Sequence, residues 1–237
     1  MSSPPALGAS SLWQATVAAL RDDFSTKFAV AAPFTLLVAM ALAVLGPPPP
    51  TSYLTLSVRD FLVFGLVPTG LAAIAQLALC RLVARPRELP RAALTAALRV
   101  WFAWAGAFLL STLAVGAATL AFIVPGIWLS ARLFPLPAVA ALEGGGSVAM
   151  LERSWRLTDG HGAALMWFLV LAVLFVAGTL LLASVAATAV LAVTQLLGAP
   201  ALGGFLAALI GASLGTAVNM GQAVAATIVW QRLQGQA

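Results

Sequence analysis

A single histidine, His161, and a single cysteine, Cys80, limit the chemistry open to this sequence of 237 residues. One histidine cannot build a two-histidine metal site, and one cysteine can form neither an intrachain disulfide nor a thiolate cluster. Asp159 and His161 are of the types that pass a proton, yet no nucleophile or second acid stands beside them. His161 follows a glycine at a helix boundary, where a solvated interfacial side chain is the expected role. Glu143 and Glu152 are of the types that act as an acid–base pair, but a helix-end cap for one and a solvated helix face for the other are the expected roles. The HExxH, Walker, GxSxG and dinucleotide fingerprints are missing from the sequence. We expect no catalytic, cofactor-binding or metal-ligating residue, and no enzyme.

Polar groups inside apolar runs stand out instead. Arg132 lies in such a run, where a charge costs about 3 kcal/mol on insertion scales. Guanidinium keeps its proton, so Arg132 must find an anion or water. Snorkelling to an interface and binding a ligand or headgroup are both open to it. Its expected partner is Asp60 or a lipid phosphate at the outer interface, because Glu143 lies about 16 Å farther along the same helix. Gln76, Asn219 and Gln222 also fall within apolar runs. They line a solute path if they converge with Arg132, and make interhelical hydrogen bonds if they do not.

These residues need membrane helices to position them. The chain is 62% hydrophobic and 8% charged, with a mean hydropathy of +1.05. That leaves too little polar surface for a soluble globule, and apolar runs of about 20 residues recur. The predicted class is an all-α polytopic membrane protein with spans near 27–45, 61–83, 102–124, 127–142, 163–197 and 205–230. These form one membrane domain over 10–232, after a disordered 1–9. The first span is expected to be an uncleaved anchor rather than a signal peptide, given its polar lead-in and the four prolines that follow. The run from Gly162 to Gly198 exceeds one span, so it must tilt, break near Gly178 or project outside. Ten of the twelve basic residues fall in the amino-terminal segment, the loops after spans two and four, and the tail. The positive-inside rule then places both termini in the cytoplasm. Eleven arginines against one lysine suit a GC-rich bacterial genome, and the expected location is a bacterial inner membrane. The net charge of +5 points to anionic headgroups at the cytoplasmic face rather than to nucleic acid.

Three amphipathic helices are predicted, near 11–24, 90–101 and 147–157. In the first, Trp13, Val17, Leu20 and Phe24 share one face; in the third, Val148, Leu151 and Trp155 oppose Glu152, Arg153 and Arg156. Glu152 and Arg156 stand at i,i+4 in the favourable order. Each helix precedes a pair of spans, which describes a three-unit repeat if the pattern is real. Pro125-Gly126 is expected to be a tight turn into a short fourth span broken by Pro135 and Pro137, and Gly160 a helix stop. Gly211-x-x-x-Gly215 and Ala217-x-x-x-Gly221 allow close helix approach, either within the chain or to a second copy or another membrane protein.

Pro125-Gly126-Ile127-Trp128, Arg132, Glu143, Ser154-Trp155-Arg156-Leu157-Thr158 and Gly160 together resemble the glycerophosphoryl diester phosphodiesterase membrane-domain family and related bacterial inner-membrane proteins. The match is sharp over about forty residues and loose over the six-span layout. The resemblance implies a membrane module, and no segment here is long enough to be the family's catalytic barrel. The expected function is a structural or accessory module in envelope or lipid homeostasis. The alternative is a transporter or lipid-handling protein with a polar intramembrane cavity.

Overall fold

The computed structural model describes residues 8–47 and 57–235. Its elements are helices, six of which are long and apolar enough to cross a membrane. The protein is an all-α polytopic membrane protein. The expected disordered segment 1–9 falls mostly outside the described residues, and Ala9 already begins a helix.

Helix α1 (Ala9–Arg21) leads into α2 (Phe24–Ala31) and α3 (Leu36–Leu45), which together make the first span. The bend between α2 and α3 holds Pro33, which has no N–H to continue the ladder. The second span is continuous from Val58 to Ala84 and comprises α4 (Val58–Asp60), a π-helical stretch (Phe61–Leu66) and α5 (Val67–Ala84). Pro68 cannot donate to Phe64, and Val67 N–H reaches back to Leu62 instead, which widens the turn.

Helix α6 (Pro90–Ala121) runs unbroken for 32 residues. The separate surface helix expected at 90–101 is therefore fused to the third span. Nothing between Trp101 and Phe102 breaks a helix, and Trp101 Nε1 already donates inward to Gly70 O at 3.0 Å. The chain reverses at Phe122 (φ −158°, ψ 138°), so Pro125 and Gly126 lie inside α7 (Ile123–Leu133) rather than forming the turn. A proline is tolerated in a first helical turn. Gly126 serves close packing: a Cβ there would lie 2.9 Å from Thr119 Cα. The fourth span breaks as expected at Pro135 and resumes as α8 (Leu136–Leu142). Gly144 and Gly145 then adopt φ of +71° and +109°, conformations that favour glycine, ahead of α9 (Ser147–Leu157).

The last two spans are α10 (Gly162–Leu196) and α11 (Pro200–Gln234). Helix α10 passes Gly178 without a break, and its 35 residues reach roughly 50 Å, well beyond a bilayer core of about 30 Å. Tilt or projection must absorb the excess.

The second and fourth spans are the most buried, and Leu77 and Leu79 of α5 belong to one core with Val139, Met150, Met220 and Ala223. A second cluster joins Leu12, Leu165, Phe168 and Val229. Leu12 and Thr16 are therefore the buried side of α1, whereas Phe24 on the expected stripe is exposed. On α9 the packed residues are Met150 and Ser154, while Val148 is exposed. The packed face is thus rotated from the Val148–Leu151–Trp155 stripe.

The polar segments gather at one end of the bundle. Arg81 donates to Glu88 and to Ala141 O, Glu143 accepts from Trp230 and Gln234, and Arg232 donates to Ser11. The described end of the amino-terminal segment, the loops after spans two and four, and the carboxy-terminal helix therefore meet on one side, as the charge pattern requires.

Candidate functional site

The break at Pro135 leaves the last carbonyls of α7 without helical partners. Arg132 O receives the Ser154 hydroxyl at 3.1 Å; the Thr158 hydroxyl stands 3.2 Å from it and 2.9 Å from Ser154 O, and neither side chain has solvent exposure. Ser154 and Thr158 stand at i,i+4, so one face of α9 caps the broken end of α7. The exchange is reciprocal. Arg132 Nη1 donates to Thr158 O at 2.7 Å, and Nη2 meets Asp159 Oδ1 at 3.2 Å, which places the cation at the carboxyl end of α9 where the helix dipole favours it. The guanidinium lies over Trp155 at 4.4 Å and within 5.4 Å of Trp128. Gly162 closes the site: a Cβ there would come 3.2 Å from Trp128 Nε1.

One expectation is corrected here. Arg132 pairs with Asp159 at the charged end of the bundle, not with Asp60. Asp60 is engaged in a capping box with Ser57. Distance along a helix misled because the α7–α8 break lets α9 fold back onto Arg132. His161 Nδ1 contacts Asp159 O at 2.9 Å while the Asp159 carboxylate faces Arg132, so no Asp–His proton pair forms.

The carboxylates Glu143 and Glu152 do not meet either. Glu143 binds Arg153 Nε at 2.7 Å, Trp230 Nε1 at 2.7 Å and Gln234 Nε2 at 3.0 Å, and so ties the glycine hinge to α11. Glu152 pairs with Arg156 at 3.6 Å, and both are exposed. The Arg156 side chain takes no part in the clamp around Arg132; only its carbonyl accepts from Thr158 and Asp159 N–H. Gly160, at φ +74°, ends the α9 turn as expected.

The intramembrane polar residues divide between two cavities. One, of about 390 Å³, lies among α3, α5 and α11 and is lined by Thr35, Pro68, Thr216, Asn219 and Gln222. The other, of about 560 Å³, lies among α5, α6, the α7–α8 break and α11 and includes Gln76, Trp104, Ser130, Phe134 and Gln222. Gln222 lines both, and Arg132 lines neither. Gly211 and Gly215 line the first cavity. A Cβ on either would meet nothing within 4 Å, and the same holds for Gly221, so they do not mediate close helix approach among the described residues.

Several groups at these cavities lack partners. Asn219 Nδ2 donates to Ala72 O at 3.3 Å, but its Oδ1 is buried and unpaired. Trp104 Nε1 is likewise buried and unpaired. The side-chain amides of Gln76 and Gln222 make no hydrogen bond among the described residues. Leaving a buried group such as Asn219 Oδ1 or Trp104 Nε1 unsatisfied costs about 1–3 kcal/mol, whereas Gln76 is half-buried and Gln222 exposed. Trp128 and Thr158 were legible in principle, each four residues from its partner in the clamp. Trp104 carried no comparable signal, since an indole without an acceptor looks like any other interfacial or core tryptophan.

Compared with family models, with curated proteins and with solved structures, the chain matches none.

Proposed function

We propose that this chain is a multi-pass protein of a bacterial inner membrane, with both termini cytoplasmic, that handles membrane amphiphiles through the cavities around Gln222 without catalysing a reaction. The carrying observation is the unpartnered amide pair. Gln76 and Gln222 line one cavity inside the span region, and neither has a hydrogen-bond partner among the described residues. Glutamines that only joined helices would be bonded across the interface. Mostly apolar walls with a few convergent polar groups suit a small amphiphilic ligand. The basic residues at the charged end would hold anionic headgroups of the surrounding leaflet.

A structural or accessory module in envelope or lipid homeostasis is the second reading. It is favoured by a separate observation, that Arg81, Arg132 and Glu143 are all occupied by internal partners. The resemblance to the glycerophosphoryl diester phosphodiesterase membrane-domain family rests largely on residues at or near the Arg132 clamp, and we carry it forward only as a membrane-module likeness.

The experiment is purification in native-lipid nanodiscs, followed by mass spectrometry of the lipids retained per protein. Wild type should retain an enriched species that Gln76→Leu/Gln222→Leu loses. Identical lipid content in both proteins, matching the bulk membrane, would favour the module.

A further inference from the structure

The arginines at the charged end do not all serve the fold. Arg81, Arg132, Arg153 and Arg232 donate to internal partners, and Arg156 faces Glu152. Arg87, Arg91 and Arg99 are exposed and have no partner among the described residues. The one acid in their stretch of sequence is Glu88, which is already bonded to Arg81.

Arg91, Thr95 and Arg99 follow one another at four-residue spacing on α6, and the opposite side of the helix, with Ala93 and Ala97, is buried in the core. The Thr95 hydroxyl donates to Arg91 O, which leaves the guanidinium groups as the free donors of this face. Leu98 and Phe102 are exposed on the same side, and Leu109 and Leu113 continue the strip at helical spacing along the span. With 32 residues, α6 reaches about 48 Å against a bilayer core of about 30 Å, and its arginines put the excess at the amino end. Phe102 then stands at the edge of the hydrocarbon, and Arg99, three residues before it, among the headgroups. Arg91 lies about 12 Å farther out along the helix.

The two halves of this face select its occupant. A soluble acidic protein could meet the arginines but not Leu109 and Leu113 inside the span. A second copy related by an axis along the membrane normal would set Arg99 against its own counterpart. A phospholipid matches both halves. A zwitterionic headgroup would bring its ammonium to a stretch with no free carboxylate, so a lipid of net negative charge fits better. We infer that this face of α6 binds one anionic phospholipid of the adjoining leaflet, its phosphodiester accepting from Arg99 and an acyl chain lying on Phe102, Leu109 and Leu113. The inference rests on the reading that basic residues here hold anionic headgroups, and narrows it to one face and one phosphate-bonding arginine.

The test uses the full chain in nanodiscs of phosphatidylcholine and phosphatidylglycerol with matched chains, and identifies by mass spectrometry the lipids kept on release into detergent. Wild type should keep phosphatidylglycerol in preference. Arg99→Gln should lower that preference about fivefold, the contribution of one arginine at a membrane surface. Arg91→Gln should lower it less, because its distance exceeds a Debye length of about 8 Å, and Arg156→Gln should leave it unchanged. Arg99→Lys, which keeps the charge, should keep most of the preference. Phosphatidylglycerol with a diazirine in its chain should label wild-type peptides spanning Phe102–Leu113. If wild type shows no preference, this inference and the headgroup reading both fail, while lipid handling at Gln222 is judged by its own variants. If Arg99→Gln prefers phosphatidylglycerol as wild type does, the headgroup reading stands and this inference falls. Should Arg99→Gln not assemble, the wild-type label decides, and label that misses Phe102–Leu113 overturns the site.

Discussion

Ser154 donates its hydroxyl to the carbonyl of Arg132 across 3.1 Å, from a position with no solvent exposure. That oxygen lost its helical partner where Pro135 breaks the fourth span, so the serine repairs a defect on another helix. The Thr158 hydroxyl lies closest to Ser154 O, at 2.9 Å, but is within 3.2 Å of the same carbonyl and can turn to it when Ser154 is lost. Ser154→Ala should therefore lower stability by about 1 kcal/mol, and Ser154→Ala/Thr158→Val by clearly more than twice that, because only the double variant strands the carbonyl. Thermal unfolding in a fixed detergent reads this directly, and additive losses would contradict the shared cap.

Arg132 makes three kinds of contact that a lysine cannot reproduce together: a bond to Thr158 O, a pair with Asp159 and a flat face on Trp155. Arg132→Lys should lower the melting temperature, and Arg132→Leu should lower it further. Asp159→Asn should do little, because Asp159 is 82% exposed and such a pair contributes about 0–1 kcal/mol. The Asp60→Arg/Arg132→Asp exchange should rescue neither single variant. Rescue would restore the Asp60 pairing that the fold replaces.

The spans and their number were legible because composition alone demands them. Gln76, Asn219 and Gln222 were legible as polar residues in apolar runs. What escaped was tertiary. A hydropathy stripe counts Ser154 and Thr158 as polar, yet the fold buries them against a stranded carbonyl, and the packed face of α9 rotates accordingly. Amphipathic periodicity up to Trp101 says nothing about whether the helix stops there, and α6 continues. Small residues four apart read alike whether they touch a helix or line a cavity. Gly126 and Gly211 show the two cases.

Those glycines separate by a simple substitution. A Cβ on Gly126 would clash with Thr119 Oγ1 and lie 2.9 Å from Thr119 Cα, and the backbone atom cannot rotate away. Gly126→Ala should thus push α6 and α7 apart and lose about 1–3 kcal/mol. Gly211→Ala and Gly215→Ala meet open space, and in a helix interior should be neutral or gain about 0.5–1 kcal/mol. Equal losses at all three positions would mean that Gly211 and Gly215 pack against a partner after all.

Sidedness follows from the gathered polar end. In a Cys80→Ser background, single cysteines replacing Arg87, Gly146 and Gly235 should react with an impermeant thiol reagent from one face of the membrane. A cysteine replacing Leu197, in the turn between α10 and α11, should react only from the other. Reagent applied to intact cells should reach Leu197→Cys alone if both termini are cytoplasmic. Opposite sidedness of Arg87→Cys and Gly146→Cys would break the six-span layout.

Glu143 joins parts of the chain far apart in sequence, since its Oε1 accepts from Trp230 and Gln234 while Oε2 holds Arg153. Arg153 Nε lies 2.7 Å away on α9, so the carboxylate locks the hinge glycines between two helices. Glu143→Gln removes the charge facing Arg153 and leaves an amide oxygen for Trp230. Trp230→Phe removes one donor and keeps most of the ring. In a double-mutant cycle using Glu143→Ala and Trp230→Phe, the coupling should fall within about 0.5–3 kcal/mol, whereas Glu143→Gln with Trp230→Phe should couple more weakly if the amide turns its oxygen toward Arg153. Protease accessibility at Gly144–Gly146 should rise in Glu143→Ala, because the hinge then keeps its positive-φ glycines without the bonds that fix them. Strict additivity together with an unchanged cleavage rate would show that Glu143 does not tie α11 to the hinge.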